Sequence, residues 1–151
     1  MKDLLNIKGE VTLKRYLQNS LFSTIHCNNM IVNSGLTFFT QKILGLTEDT
    51  LHSIEIGSSN HPAAPGQTAL TTQNASSQIR WIALGQSPGE MFIESYFGNT
   101  TGSFYVVEIG LFSENTMVAR TVLSSENAFV KTAEETISVT WRIFLGGDII
   151  T

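Results

Sequence analysis

The segment "ETISVTWRIFL", residues 135–145, constrains the fold of this chain more than any other stretch. Large apolar residues occupy every second position, namely Ile137, Val139, Trp141, Ile143 and Leu145. Successive side chains of a strand point to opposite faces of a sheet, so this period of two predicts a half-buried antiparallel strand. We expect the apolar row to face a core and Trp141 to be buried in it.

Several other segments are rich in β-forming residues and are bounded by Gly, Asn and Ser turns. They include "IKGEVTLKRYL", "STIHCNNMIV", "LHSIEIG", "SQIRWIALG", "EMFIESYF", "FYVVEIGLF" and "TMVARTVLS". In "FYVVEIGLF", the alternation places Tyr105 on the same side as Val107, Ile109 and Leu111. In total, the patterns predict about seven to nine strands.

One helix is predicted in "NSGLTFFTQKILG". Its apolar face follows helical spacing and comprises Leu36, Phe39, Ile43 and Leu46. Ser34 is the expected N-cap, and Gly45 is the expected residue just after the C-terminal cap. The chain is therefore predicted to be all-β, an antiparallel β-sandwich or squat barrel with one short α-helix closing an end. It forms a single domain over residues 1–151, with residues 1–6 as a flexible or subunit-reaching arm.

Composition excludes several classes of protein. The net charge is −4 and the nine Lys and Arg residues are scattered, which argues against a nucleic-acid partner. A single cysteine, Cys27, excludes an internal disulfide. The sequence has no run of about 18 apolar residues that would suggest membrane insertion, so we expect a soluble chain made in a cytoplasm.

The sequence offers little for an active site. The loop in "IEIGSSNHPAAPGQTAL" lacks the lysine and glycine spacing of a phosphate-binding loop, so Ile54 and Ile56 are expected to end a strand at Gly57. The three histidines, His26, His52 and His61, have no metal-ligand spacing. We therefore expect no metal, cofactor or catalytic residue in this chain.

Two carboxylates raise one alternative. Glu94 and Glu108 sit within predicted strands and would form a glycosidase-like pair if those strands were neighbours. Cross-strand ion pairs are the favoured interpretation for Glu55, Glu94 and Glu108, with Arg80, Arg120 and Arg142 as partners on solvated sheet faces.

Four segments taken in order resemble a family of small structural proteins of tailed bacteriophages. They are "NNMIVNSGLTFFTQKI", "IEIGSSNHPAAPGQTAL", "VVEIGLFS" followed by "MVARTVL", and "ETISVTWRIFL". The family has a helix entry of the type Asn-x-x-Val-x-x-Gly, a glycine-rich loop ending in Asp-Thr-Ala-Leu, a Glu-x-Gly-Ile-Phe strand, an Ala-Arg-Thr strand and a closing Thr-Ile-x-Val-x-Trp strand. Here Gln67 replaces the loop aspartate and His61-Pro62 is inserted, so loop-specific roles do not carry over.

The resemblance implies a non-enzymatic virion component of the tail, fibre or baseplate, which is made in the bacterial host cytoplasm. Two alternatives remain open. One is a capsid decoration protein, and the other is a carbohydrate-binding module for host attachment. The carbohydrate-binding reading requires an exposed aromatic platform made of Trp81, Trp141, Tyr96 and Tyr105.

Two predicted strands carry apolar residues on both faces, which a single sandwich of this size cannot cover. We therefore expect self-assembly, with a trimer or higher ring as the first choice, and contacts to other virion proteins. A host surface glycan is a further candidate partner. The candidate interface residues are Met91, Phe92, Tyr96, Phe97, Met117 and Val118 on the strands, and His61, Pro62 and Pro65 in the loop.

Overall fold

A computed structural model describes residues 4–148 of the chain and the side chains of residues 6–146. Within that range it has one α-helix, α1, at Asn33–Ile43, and a 3₁₀ turn at Asn99–Thr101. The eleven strands are β1 Leu4–Leu17, β2 Ser20–Asn28, β3 Met30–Ile31, β4 Leu51–Gly57, β5 Gln73–Leu84, β6 Glu90–Phe97, β7 Phe104–Val106, β8 Glu108–Ser113, β9 Met117–Val122, β10 Phe129–Lys131 and β11 Glu135–Asp148.

Nine of these strands form one antiparallel sheet in the order β2-β1-β11-β6-β5-β4-β8-β9-β3, and β10 and β7 form a small second sheet. The large sheet curls into a half-barrel, which confirms the predicted all-β fold with one short helix. The predicted number of strands was too low. The additional elements β3, β7 and β10 have only two or three residues each, too few to produce an alternating pattern.

The closing strand β11 lies at the centre of the fold. It pairs with β1 along its whole length, from Leu4 opposite Asp148 to Leu17 opposite Glu135, and with β6 on its other side. The predicted alternation is confirmed, because the four inward residues Ile137, Val139, Trp141 and Ile143 are fully buried. Leu145, near the end of the strand, is only half-buried.

The two edge strands of the large sheet, β2 and β3, are consecutive in the chain and separated only by Asn29. The Asn29 backbone N–H donates to the Gly9 carbonyl oxygen of β1 over 3.4 Å. The Asn29 side chain occupies the space where any other residue at position 9 would have a Cβ atom. Gly9 therefore allows the chain to leave one edge of the sheet and enter the other.

Helix α1 ends as predicted but begins differently. Gly45 has φ +68°, its N–H donates to the Lys42 carbonyl, and the next N–H donates to the Gln41 carbonyl, a Schellman motif. The prediction that Ser34 is the N-cap is wrong, because the cap position is Val32. The Ser34 hydroxyl instead donates to the Met117 carbonyl oxygen over 2.7 Å and ties the helix to β9.

The predicted buried face of α1 is confirmed at Phe39 and wrong at Leu36, Ile43 and Leu46. The helix buries Gly35, Phe38 and Phe39, while Leu36 and Ile43 are exposed, as is Leu46 beyond the helix. Gly35 lies against the backbone carbonyl of Val118, where a Cβ atom would not fit. This close approach turns the two phenylalanines toward the core and leaves the leucine and isoleucine outside.

The segment "FYVVEIGLF" is two strands rather than one. The sheet pairing breaks at Val107, whose N–H donates to the Gly57 carbonyl oxygen and whose carbonyl accepts from Leu123 N–H. As a result, β7 pairs with β10 in the small sheet and Tyr105 is exposed, whereas Ile109 and Leu111 are buried. The prediction that Tyr105 shares the core side with them is therefore wrong.

The predicted arm at residues 1–6 needs correction. Residues 4–6 belong to β1 and pair with β11, so they are not free to reach a neighbour. Residues 1–3 lie outside the described part of the chain.

Candidate functional site

A buried ion pair joins β8 to β9. Arg120 donates through Nε and Nη2 to Oε2 of Glu108, over 3.0 and 2.7 Å, and both side chains are fully buried. The pairing register places Gly110 opposite Arg120, two residues along from Glu108, so the two charged side chains share one face of the sheet. A buried charge requires this kind of compensation, since an isolated one is very costly.

The same two residues hold the loop between β4 and β5. Glu108 accepts hydrogen bonds from the backbone N–H groups of Thr71, over 3.1 Å, and Thr72, over 2.7 Å. Arg120 Nη1 donates to Oε1 of Gln67 over 3.2 Å, and that oxygen also accepts from Ala64 N–H over 2.9 Å. Glu108, Arg120 and Gln67 form what we call the loop latch.

The latched loop covers one face of β9. Leu70 packs with Met117, Val32 and Phe112 in a small apolar cluster separate from the main core. The Pro65 carbonyl accepts from Asn33 N–H over 2.8 Å at the start of α1. The loop is therefore a structural cover, and Arg120, the buried cation of β9 that contacts it, is already paired with a carboxylate.

This cover changes the predicted interface. Phe97, Met117 and Val118 are fully buried within the chain, so they are not accessible to a partner and their assignment is corrected. The sequence pattern showed β9 to be apolar on both faces, but the loop between β4 and β5, rather than a partner, covers the second face. Of the remaining candidates, Tyr96, His61, Pro62 and Pro65 are exposed, and Met91 and Phe92 are half-buried.

The glycosidase-like pair of Glu94 and Glu108 does not form. Strands β5 and β4 lie between β6, which carries Glu94, and β8, which carries Glu108. Glu94 instead lies 3.9 Å from Arg80 Nη1, as the ion-pair interpretation predicted. The Glu108 pair is also found, although it is buried rather than on a solvated face.

Arg142 bridges two carboxylates on the outer face of the sheet. It donates to Oε2 of Glu90 over 2.5 Å and to Oε2 of Glu10 over 3.3 Å. These contacts to the two carboxylates, the hydrogen bond to Glu90 foremost, raise the pKa of the exposed Arg142 guanidinium. The three strands β1, β11 and β6 are thereby crosslinked through their side chains.

Glu55 on β4 makes no ion pair or hydrogen bond through its side chain within the described residues, so the predicted cross-strand ion pair of this carboxylate is wrong. It is half-buried, and burial raises its pKa from the ordinary 4.5. The folded state therefore holds a proton on Glu55 more readily than the unfolded state does. Its contribution to stability is fully present below the unfolded pKa and is lost as the pH rises through the folded pKa.

We expect Glu55→Gln to raise the free energy of unfolding at pH 7, because the neutral amide avoids the desolvation of a charge. Urea unfolding of both proteins between pH 3 and pH 8 measures this, and the gain should shrink toward the acid end. The same change at the exposed Glu126 is the control and should have little effect. An equal gain from Glu55→Gln at every pH would contradict the protonation argument.

Metal binding has no support within residues 4–148, where no three His, Cys, Asp or Glu side chains lie together. All three histidines are exposed, and His26 Nδ1 lies 3.0 Å from Thr12 Oγ1. Burial raises the pKa of the Cys27 thiol, which donates to the Val11 carbonyl oxygen.

The proposed aromatic platform is also not assembled. Trp141 is fully buried and Tyr105 lies on the small second sheet. Trp81 and Tyr96 remain exposed on the neighbouring strands β5 and β6.

An apolar groove of about 390 Å³ opens between α1 and the ends of β5, β6 and β11. We call it the α1 groove, and its lining is Phe38, Phe39, Lys42, Ile43, Thr50, Leu51, Ile82, Met91 and Leu145. Lys42 is the single charged residue in that lining. Leu44, the residue after Ile43, and Leu84, two residues beyond Ile82 on β5, extend the exposed apolar surface, and Leu84 is 90% exposed.

Comparison with family models, curated proteins and solved structures gave no match to this chain. Among the described residues, α1 is too short and polar to cross a bilayer, and no other helix qualifies.

Proposed function

We propose that this chain is a non-enzymatic structural protein of a tailed bacteriophage particle, in the tail, fibre or baseplate. In this proposal it is made in the bacterial host cytoplasm and assembles with copies of itself and with other virion proteins. The observation that carries the proposal is the exposed apolar surface around the α1 groove. Resemblance to the phage structural family supplies the biological setting.

The residues behind that resemblance support a structural role. Glu108, Arg120 and Gln67 come from two of the four similar segments, and they form the loop latch. The charged groups of Glu108 and Arg120 are buried and make their hydrogen bonds within the protein, so they are not available to a substrate. Their use is to fix a loop against a sheet, as expected of a rigid building block.

The α1 groove supports assembly. Monomeric soluble proteins rarely expose large contiguous apolar surfaces, and such surfaces mark interaction sites. The nearly uncharged lining lets two copies approach without like-charge repulsion, so a second copy of this chain is the occupant we propose. Closed cyclic symmetry would cover every such groove in turn, and a trimer is the first choice.

We expect Leu84→Ser to weaken self-association, because Leu84 gains burial only when a second copy covers it. Light scattering coupled to size-exclusion chromatography at micromolar concentration measures the effect. At about 25 cal/mol per Å² of apolar surface buried, the loss of a leucine that association would bury should raise the dissociation constant roughly tenfold or more. The urea unfolding midpoint measured on dilute monomer should not change, since this side chain is already exposed.

Tyr105→Ser is the matched control, because Tyr105 is 61% exposed on the small sheet rather than at the groove. This variant should assemble like the wild type. A wild-type protein that stays monomeric at micromolar concentration would contradict the proposed self-assembly.

Position in the particle is tested by gold-labelled antibodies against the protein on intact phage particles viewed by electron microscopy. Label confined to the tail, fibres or baseplate supports the proposal. Label spread across the capsid would favour the alternative of a decoration protein, and particles without label would contradict a virion role.

A further inference from the structure

A polar cleft opens on the outer face of the large sheet, beside the β1–β2 turn. Its larger part, about 570 Å³, and an adjoining part of about 270 Å³ share Asn19, Tyr96 and Thr136 in their linings. Tyr16 and Glu94 line the smaller part, and Asn99 lines the larger. We call it the tyrosine cleft, and it lies on a different face from the α1 groove.

The strand order explains why a cleft forms here. Strand β11 runs between β1 and β6, with Tyr16 opposite Thr136 and Tyr96 opposite Ser138. The small side chains of Thr136 and Ser138 form a floor, and a tyrosine stands on each side of it. Because neighbouring strands lie about 4.8 Å apart, the two tyrosines are separated by roughly 10 Å or more.

One wall of the cleft is held in place by side-chain contacts. The Arg80 guanidinium lies 5.6 Å from the centre of the Tyr96 ring, and its Nη1 is 3.9 Å from Oε1 of Glu94. The Ser77 hydroxyl donates to the Tyr96 carbonyl oxygen over 2.8 Å. Tyr96 is therefore exposed but positioned, which limits the entropy that it would lose on binding a ligand.

The other wall carries unfavourable backbone conformations. Gln18 and Asn19 form the two-residue β1–β2 turn with φ of 51° and 64°, in the left-handed region where glycine is favoured. Two side-chain amides are thus kept at the edge of the cleft although glycine would fit the turn better. Such conformations cluster at ligand sites.

We propose that the tyrosine cleft binds a neutral glycan. Asparagine amides and a carboxylate supply paired donors and acceptors that suit the neighbouring hydroxyl groups of a sugar ring. Tyrosine rings offer an apolar face to the C–H side of the same ring and a hydroxyl at its edge. The charged residues lining both parts are Arg80, Glu94 and Glu134, a net charge of −1, which disfavours acidic sugars.

The tyrosine cleft shares only Tyr96 with the four-residue aromatic platform. The assignment of the cleft does not rest on the proposed virion role. The asparagine amides, the carboxylate and the tyrosines that bind the sugar come from strands β1 and β6, the β1–β2 turn and the 3₁₀ turn. Of the two carboxylates that line the cleft, Glu94 is paired with Arg80 and helps to position one wall.

The test is retention of the protein on beads coated with dextran, mannan, galactan or chitin, with chondroitin sulfate beads as the acidic counterpart. We expect retention on at least one neutral polysaccharide and release by the matching free oligosaccharide. Tyr96→Ala should weaken this binding at least about tenfold, and Tyr105→Ala, the control tyrosine outside the cleft, should bind like the wild type.

Asn19→Gly separates binding from folding. Glycine adopts the required positive φ easily, so the urea unfolding midpoint should stay the same or rise, while the loss of the amide weakens binding. The proposal is overturned by retention on none of the neutral polysaccharides, by retention on chondroitin sulfate alone, or by unchanged binding in both Tyr96→Ala and Asn19→Gly.

Discussion

Arg120→Leu is expected to lower the free energy of unfolding by about 3 to 5 kcal/mol, because it leaves the fully buried Glu108 carboxylate without its counter-charge. Two backbone N–H groups of the loop still bind that carboxylate, but they do not neutralise it. Urea unfolding followed by circular dichroism measures the loss. Faster proteolysis within residues 58–72 should accompany it, since the variant loses one of the contacts that hold the loop down.

Two further variants make this prediction specific to burial. Arg142→Leu removes an arginine that also binds two glutamates but is partly exposed, and it should lower the free energy of unfolding much less than Arg120→Leu does. Adding Glu108→Gln to Arg120→Leu should recover part of the loss, because the neutral amide oxygen can still accept from Thr71 and Thr72. Equal costs at Arg120 and Arg142 would refute the argument from buried charge.

Trp141→Ala is expected to cost about 3 to 5 kcal/mol, because it opens a cavity at the centre of the core. Ile137→Ala on the same row should cost about 2 to 5 kcal/mol, and Thr140→Ala on the opposite face under about 1 kcal/mol. Chemical unfolding of each variant gives these values. Near-equal losses at all three positions would show that the inward and outward faces of β11 are not energetically distinct.

Trp141→Phe is the matched control for the cavity. The Trp141 Nε1 group has no hydrogen-bond partner within the described residues, so phenylalanine removes an unsatisfied donor while keeping most of the ring volume. This change should cost much less than alanine does. A loss as large as that of Trp141→Ala would point to a specific need for the indole.

The parts of the fold that sequence predicted well are those specified by local alternation. In β11 and β4 the apolar residues recur every second position, and one face of each strand is buried in the structure. Gly45 was equally predictable, because few residues other than glycine end a helix with positive φ. Both signals lie within a few residues of sequence and require no knowledge of distant partners.

The loop latch depends on pairing between segments far apart in sequence. The only local signal was a single opposite charge in each of the apolar runs "VVEIGLF" and "MVARTVL". That signal suggested an ion pair between Glu108 and an arginine, but not its burial or its contacts with the loop. For the same reason, the apolar surface of β9 was assigned to a partner rather than to Leu70.

The sequence did not predict which face of α1 is buried, because its apolar residues fit two overlapping stripes along the helix. Leu36, Phe39 and Ile43 satisfy one stripe, whereas Gly35 permits a closer approach to β9 along another. A glycine contributes nothing to an apolar pattern although it decides the packing here. The α1 groove results directly from that choice, as does the exposure of Ile43 at its rim.

The pairing of β1 with β11 joins two strands that are far apart in sequence and are therefore synthesised far apart in time. The longest pairing of Leu4–Leu17 is with Glu135–Asp148, so that ladder can form only after about 130 further residues have been made. Until β11 has been made, β2 is the strand that can pair with β1. Non-local pairing of this kind slows folding and leaves the nascent chain exposed to aggregation.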